Sequence, residues 1–182
     1  METVRRAATG DTKANSWLAR RVVTRVRRVA RALARNAADA DDAAQLSLME
    51  VLRSAHTYRG EASLDAWAGR IAARTTLRHL ARERRKVEPV ATQTPTLATP
   101  EAPAGLAESL PRDVQSYLDA LPPPQRNAIV LHHALGYSLD EVAQMEGVSP
   151  NTVKGRLRLG MATLRKHVRR DQQLGLRAGA GA

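Results

Sequence analysis

Five side chains near the carboxyl end, Asn151, Thr152, Lys154, Arg156 and Arg158, lie close together in the chain. All are of the types that hydrogen-bond base edges or grip phosphates. A second group, Arg70, Arg74, Arg78 and Arg82, recurs every four residues and runs on into Arg84, Arg85 and Lys86. That spacing stacks side chains on one helix face, drifting by about 40° per step. Like charges so placed destabilise an isolated helix by about 0.2–0.5 kcal/mol per pair. Phosphates along a nucleic-acid backbone would offset that cost. Neither group is suited to making or breaking bonds. His56, His79, His132, His133 and His167 include no pair at i, i+4, and no phosphate-binding glycine loop or nucleophile motif is present. With no cysteine, disulfides and thiolate metal sites are excluded. The expected ligand is a polyanion. No enzymatic activity, metal or cofactor is expected.

Charge distribution agrees. The net charge is +11, and residues 1–38 carry ten basic against two acidic side chains. Residues 70–86 carry seven against one, and 149–182 eight against one, with acidic blocks between them. Basic blocks inside folded segments point to places where polyanion is held. The longest uncharged run, 127–139, has 13 residues, against about 20 for a membrane span. The N-terminus, Met-Glu-Thr-Val-Arg-Arg, lacks the apolar core of a signal peptide. A soluble, cytoplasmic protein is expected.

The elements that must position these residues read as helices. Two Trp, three Tyr and no Phe leave a core of Leu, Val, Ile and Ala, which favours helical bundles. Residues 87–111 hold five of the nine prolines and no basic residue, and are expected to form a flexible linker. The fold class is therefore all-α: two small helical domains, 13–86 and 112–170, joined by a Pro-rich linker. The first dozen residues and the tail 171–182 are expected to be frayed or disordered.

In the first domain Leu18, Val22, Val26, Val29 and Leu33 make one apolar stripe. A second helix is expected from Asp41 or Asp42, burying Leu48, Val51, Leu52 and Ala55. Ser63 can cap a third, with Leu64, Trp67, Ala68 and Ile71 inward and the arginines outward.

In the second domain a helix through Ile129, Val130, Leu131 and Leu135 stops at Gly136. Ser138 and Glu141 form a capping box that opens a short helix presenting Leu139, Val142 and Ala143 inward. Gly147 supplies a turn, and Ser149-Pro150 starts the last helix, which is expected to bury Val153, Leu157 and Leu164. This is a helix-turn-helix whose second helix leaves Asn151, Thr152, Lys154, Arg156 and Arg158 free for the major groove.

Together the halves resemble the bacterial extracytoplasmic-function (ECF) sigma factors. The C-terminal resemblance rests on Leu121-Pro122, Arg126, Leu131, Gly136, Ser138, Glu141-Val142-Ala143, Gly147, Ser149, Thr152-Val153, Arg156-Leu157 and Leu164-Arg165. The N-terminal one rests on Asp41-Asp42, Gln45, Arg59-Gly60, Trp67, Arg70-Ile71-Ala72 and the basic run to Lys86. The resemblance implies an alternative sigma factor that binds core RNA polymerase and directs transcription initiation. It assigns Asp41, Asp42, Gln45 and Met49 to the polymerase clamp. Arg59, Gly60, Glu61, Ser63, Arg70, Arg74, Arg78, Arg82 and Arg85 fall to the melted −10 element, with Trp67 packed in the core beneath. The recognition helix falls to the −35 duplex, and an anti-sigma protein is an expected partner. The chain departs from the family pattern at Leu46, Leu48, Leu52, Arg74, Arg78, Gly155, Leu159 and Met161. A stand-alone helix-turn-helix regulator explains 138–165 equally well but leaves the first domain unassigned. A general RNA-binding protein has no use for the capped helix pair.

Overall fold

A computed structural model describes residues 2–86 and 110–175. The chain divides into two compact units, Met1–Leu97 and Ala98–Ala182. The linker expected over 87–111 and the end of the expected tail lie almost wholly outside the described residues.

In the first unit Asp11 caps α2 (Thr12–Leu33), its carboxylate accepting from the Ala14 N–H at 2.9 Å. The stripe Leu18, Val22, Val26, Val29 and Leu33 is fully buried. The fraying expected of the first dozen residues is not seen over residues 2–12. Residues Glu2–Ala8 form α1, which packs on α2 and on the turn Ala55–Thr57. Val4 and Ala7, three residues apart, are buried there, and Arg6 grips Asp11 at the helix junction.

Helix α3 (Ala37–Arg53) starts four residues before Asp41. Asn36 rather than an aspartate caps it, accepting from the Asp39 N–H at 2.8 Å. Its buried face is also rotated from expectation: Ala40, Ala43, Ala44, Ser47 and Val51 lie inward, while Leu48 and Leu52 are half-buried. The reason lies in α4 (Leu64–Lys86), which presents Ala68, Gly69, Ala72, Ala73 and Thr76. Small faces let the two helices approach closely and push the leucines to the flanks. Ser47 spans the contact, its hydroxyl reaching the Ala72 carbonyl at 3.3 Å and Thr76 Oγ1 at 3.4 Å.

In the second unit Asp113 caps α5 (Val114–Asp119), and α6 (Pro123–Ile129) begins on prolines. Arg126, 2% exposed, points into the core and bonds Asp119 at 3.2 Å. After Ile129 the chain widens into a π-turn, Val130–Ala134, closed by the Leu135 N–H on the Val130 carbonyl at 2.9 Å. Gly136 ends it with φ 76°. Helix α7 (Leu139–Glu146) opens with the full capping box, Ser138 N–H on Glu141 at 2.9 Å and Glu141 N–H on Ser138 at 3.2 Å.

Helix α8 (Pro150–Gln173) is capped by Ser149. It buries Val153 and Gly160; Leu157 and Leu164, expected in the core, are only half-buried. Gly160 explains the difference. A methyl there would stand 2.7 Å from Ile129 Cδ1 and 3.2 Å from Gln125 Cβ. α6 crosses α8 over that glycine, so the neighbouring leucines are left at the rim. The helix also runs past Arg170, where the tail was expected to begin. Asp171 is 4% exposed and pairs with Arg112 at 3.0 Å, which holds the last turn down.

Candidate nucleic-acid interface

The helix-turn-helix is built from the two capped starts. Ser149 accepts from the Thr152 N–H at 3.1 Å, and Gly147 turns between the helices at φ 67°. Val142 and Ala143 of α7 are buried, with Val153 of α8 fully enclosed. This leaves Asn151, Thr152, Lys154 and Arg158 exposed near the N-terminus of α8. All four stand where a recognition helix meets base edges and phosphates.

Arg156 is the exception, and the expectation that it is free needs correction. Its guanidinium donates to Glu146 Oε2 at 2.6 Å, with 26% of the Arg156 side chain and 6% of the Glu146 side chain exposed. About 100° per residue separates successive side chains, so Arg156 is rotated by roughly 140° from Asn151, toward α7. Burial pushes the Glu146 carboxyl above its ordinary value, while Arg156 and then Asn127 pull it back. Glu146 was missed from the sequence. The available signal was an acid closing the first helix of the pair, ten residues before an arginine in the second.

In the first unit the segment between the α3 and α4 helices folds into a concavity of about 400 Å³. Arg59, Gly60 and Glu61 form one side of it, and Tyr58, Trp67 and Arg70 contribute to its wall. The loop is set by its own bonds. Tyr58 donates its hydroxyl to the Ala62 carbonyl at 3.1 Å, and Ser63 Oγ caps α4 by accepting from Ala66 at 3.1 Å. Trp67, expected beneath the loop in the core, is half-buried in this wall. Its ring centroid lies 5.2 Å from that of Tyr58 at a 54° tilt, and its indole N–H reaches Thr57 Oγ1 at 3.3 Å. Tyr58 was not singled out in the sequence, although an aromatic directly before Arg59-Gly60 was its signal.

The arginine ridge leads away from that concavity. Arg70 is half-buried at its edge, while Arg74, Arg78, Arg82 and Arg85 are exposed. Arg74 and Arg78 also border a cleft of about 180 Å³ against Glu50 and Ser54 of α3. Elsewhere on α3, Asp41, Asp42 and Gln45 are exposed, beside Leu46 at 43% and Met49 at 53%. Two large apolar side chains one turn apart in solvent, among carboxylates and an amide, form a surface suited to a protein partner. Among the described residues no group of His, Asp and Glu is arranged to hold a metal ion.

Comparison with known proteins follows the same division. Residues 18–86 match the family model for sigma-70 region 2, and residues 112–164 match that for sigma-70 region 4. The ECF RNA polymerase sigma factor SigM of Mycobacterium tuberculosis (strain H37Rv) is 34% identical over 155 residues, covering 85% of this chain and 77% of that protein. Among solved structures, the sigma factor RpoE from Bartonella quintana, in complex with the anti-sigma factor NepR, is similar with a TM-score of 0.58. It is 24% identical, over 79% of this chain and 89% of that one. CnrH, in complex with the cytosolic domain of CnrY, also has a TM-score of 0.58, at 22% identity over 93% and 96% of the two chains. At these identities the likeness to the two structures is one of fold.

Proposed function

The chain belongs to the extracytoplasmic-function group of sigma-70 factors, and from that premise we propose which of its surfaces performs each step. It is an alternative sigma factor that lends promoter recognition to core RNA polymerase, making no covalent bond itself. The exposed side of α3, with Asp41, Asp42, Gln45 and Met49, docks on the polymerase clamp. Leu46 enlarges the apolar part of that contact.

The −10 element is taken by the first unit. A base drawn out of the stack enters the concavity lined by Arg59, Gly60 and Glu61, where the tilted Tyr58–Trp67 pair offers aromatic surface and Ser63 fixes the start of α4. Arg70, Arg74, Arg78, Arg82 and Arg85 then track the phosphates of the melted strand. The −35 duplex is read by Asn151, Thr152, Lys154 and Arg158, with Arg156 bracing the helix pair through Glu146. The two units thus divide the promoter between them, with residues 87–111 as the connection.

One observation supports this division best. A capped recognition helix lies in one unit, while the other holds an aromatic-walled notch that opens onto an arginine ridge. An anti-sigma protein is the expected regulator, because RpoE, of like fold, is held by one. No helix among the described residues is long and apolar enough to cross a membrane, and the cytoplasm is the proposed compartment. Co-elution of the purified chain with core polymerase, without DNA, tests the reading. A chain that binds duplex DNA but ignores the polymerase would instead be a stand-alone regulator.

A further inference from the structure

Helix α8 contains two internal glycines, and the fold accounts for only one. Gly160 is buried where α6 crosses, and any added methyl would collide with Ile129. Gly155 is different: a methyl built there meets nothing within 4 Å. An unconstrained glycine inside a helix lowers stability by about 1 kcal/mol relative to alanine, so nothing in the packing of this domain calls for it. One physical use of such a glycine is to let the helix backbone approach a ligand closely.

Its position says which ligand. With about 100° per residue, Gly155 lies some 40° from Asn151 and Leu159 a further 40° on, one turn above and one below. The buried side chain of Val153 points to the opposite side. Gly155 is therefore a notch in the middle of the exposed recognition face, bordered by an amide and by a leucine that is 54% exposed. A leucine in solvent on a surface otherwise made of Asn151, Lys154 and Arg158 is also without a role in the domain.

We propose that Gly155 and Leu159 add a specificity contact to the −35 readout, receiving the 5-methyl group of a thymine in the major groove. The inference rests on α8 being the −35 reader. Without a side chain at 155 the helix backbone sits closer to the base edges by about the thickness of a methyl group. The thymine methyl fills the notch against the Leu159 side chain. Asn151, a turn earlier, is placed to make paired hydrogen bonds to an adenine edge, N6 and N7. The recognised chemistry is an A·T pair presented by its methyl, which the major groove exposes and the minor groove does not.

The test uses holoenzyme assembled from core polymerase and the full chain, with −35 duplexes selected from a randomised window. Gly155→Ala is expected to raise the thermal midpoint of the protein and to weaken binding to the selected duplex by roughly tenfold or more. Replacing the recognised thymine by deoxyuridine, which removes only the methyl, should weaken wild-type binding by about fourfold, the equivalent of one buried methylene. Gly155→Ala should be insensitive to that replacement, and Leu159→Ala should lose the thymine preference while keeping its fold. Undiminished binding by Gly155→Ala, or wild-type indifference to deoxyuridine at every selected thymine, overturns the inference while leaving the −35 reading intact. If wild-type holoenzyme selects no −35 sequence at all, the −35 reading itself fails, and this inference with it.

Discussion

Glu146, the last residue of α7, holds the guanidinium of Arg156 in α8 at 2.6 Å with its own side chain almost out of solvent. The bond ties the two members of the helix-turn-helix together at the turn. It also occupies a cation that would otherwise be offered to DNA. A charged pair of this kind contributes chiefly through the cost of breaking it, because the surviving carboxyl is left largely out of solvent with Asn127 as its remaining partner.

Arg156→Ala should therefore act first on stability, and with a pH dependence. Burial already holds the Glu146 carboxyl above its ordinary value, with Arg156 pulling it back. A carboxyl whose folded-state pKa is raised contributes most stability below its unfolded pKa, and that contribution is lost as pH rises through the folded value. Removing Arg156 raises the folded value further and enlarges the loss. The variant's deficit against wild type, measured by urea unfolding, should grow as pH rises above the ordinary glutamate pKa and level off once the raised folded-state value is passed. It should reach about 1–3 kcal/mol at neutrality. A deficit that is flat with pH would contradict the brace.

Gly160→Ala should destabilise the C-terminal unit by about 1–3 kcal/mol through overpacking. The contact at fault is Ile129 Cδ1, 2.7 Å from the added carbon. Adding Ile129→Val, which deletes that atom, should restore part of the loss in the same unfolding assay. If the double variant were no more stable than Gly160→Ala alone, the clash would lie elsewhere.

On α3, Leu46→Ala with Met49→Ala should leave the fold intact, since these side chains are 43% and 53% exposed. Affinity for core polymerase should nevertheless fall by about tenfold, the equivalent of about 1.4 kcal/mol. Fluorescence titration of labelled chain with core enzyme measures this. Unchanged affinity would move the clamp contact to another face.

Arg74→Ala with Arg78→Ala should impair promoter opening more than duplex binding, because both cations stand exposed on the ridge leading from the notch. Permanganate reactivity of thymines around the start site should drop several-fold, while holoenzyme still retards closed promoter DNA. A bubble of normal extent would remove the ridge from strand handling.

The local signals in the chain were strong enough to be read directly. The stripe from Leu18 to Leu33, the Ser138–Glu141 capping box, the turn at Gly147 and the Ser149-Pro150 start depend on residues within one or two turns, and each is where its pattern placed it. The exposure of the candidate DNA-facing side chains was legible to the same depth. Asn151, Thr152, Lys154 and Arg158, and the exposed ridge from Arg74, follow from periodicity and caps alone. What periodicity cannot supply is the identity of the neighbour across a helix contact. It could not distinguish Gly155 from Gly160, because only the position of α6 makes one indispensable to packing and leaves the other facing empty space. Nor could it set the rotation of α3, which the small residues of α4 decide. The same limit applies to Arg156, whose partner Glu146 lies in the preceding helix, and to Asp171, which Arg112 holds from 59 residues away. Helical period reports which residues share a face. Which face another segment covers is decided by contacts between parts of the chain far apart in sequence, and those exist only once the bundle has closed.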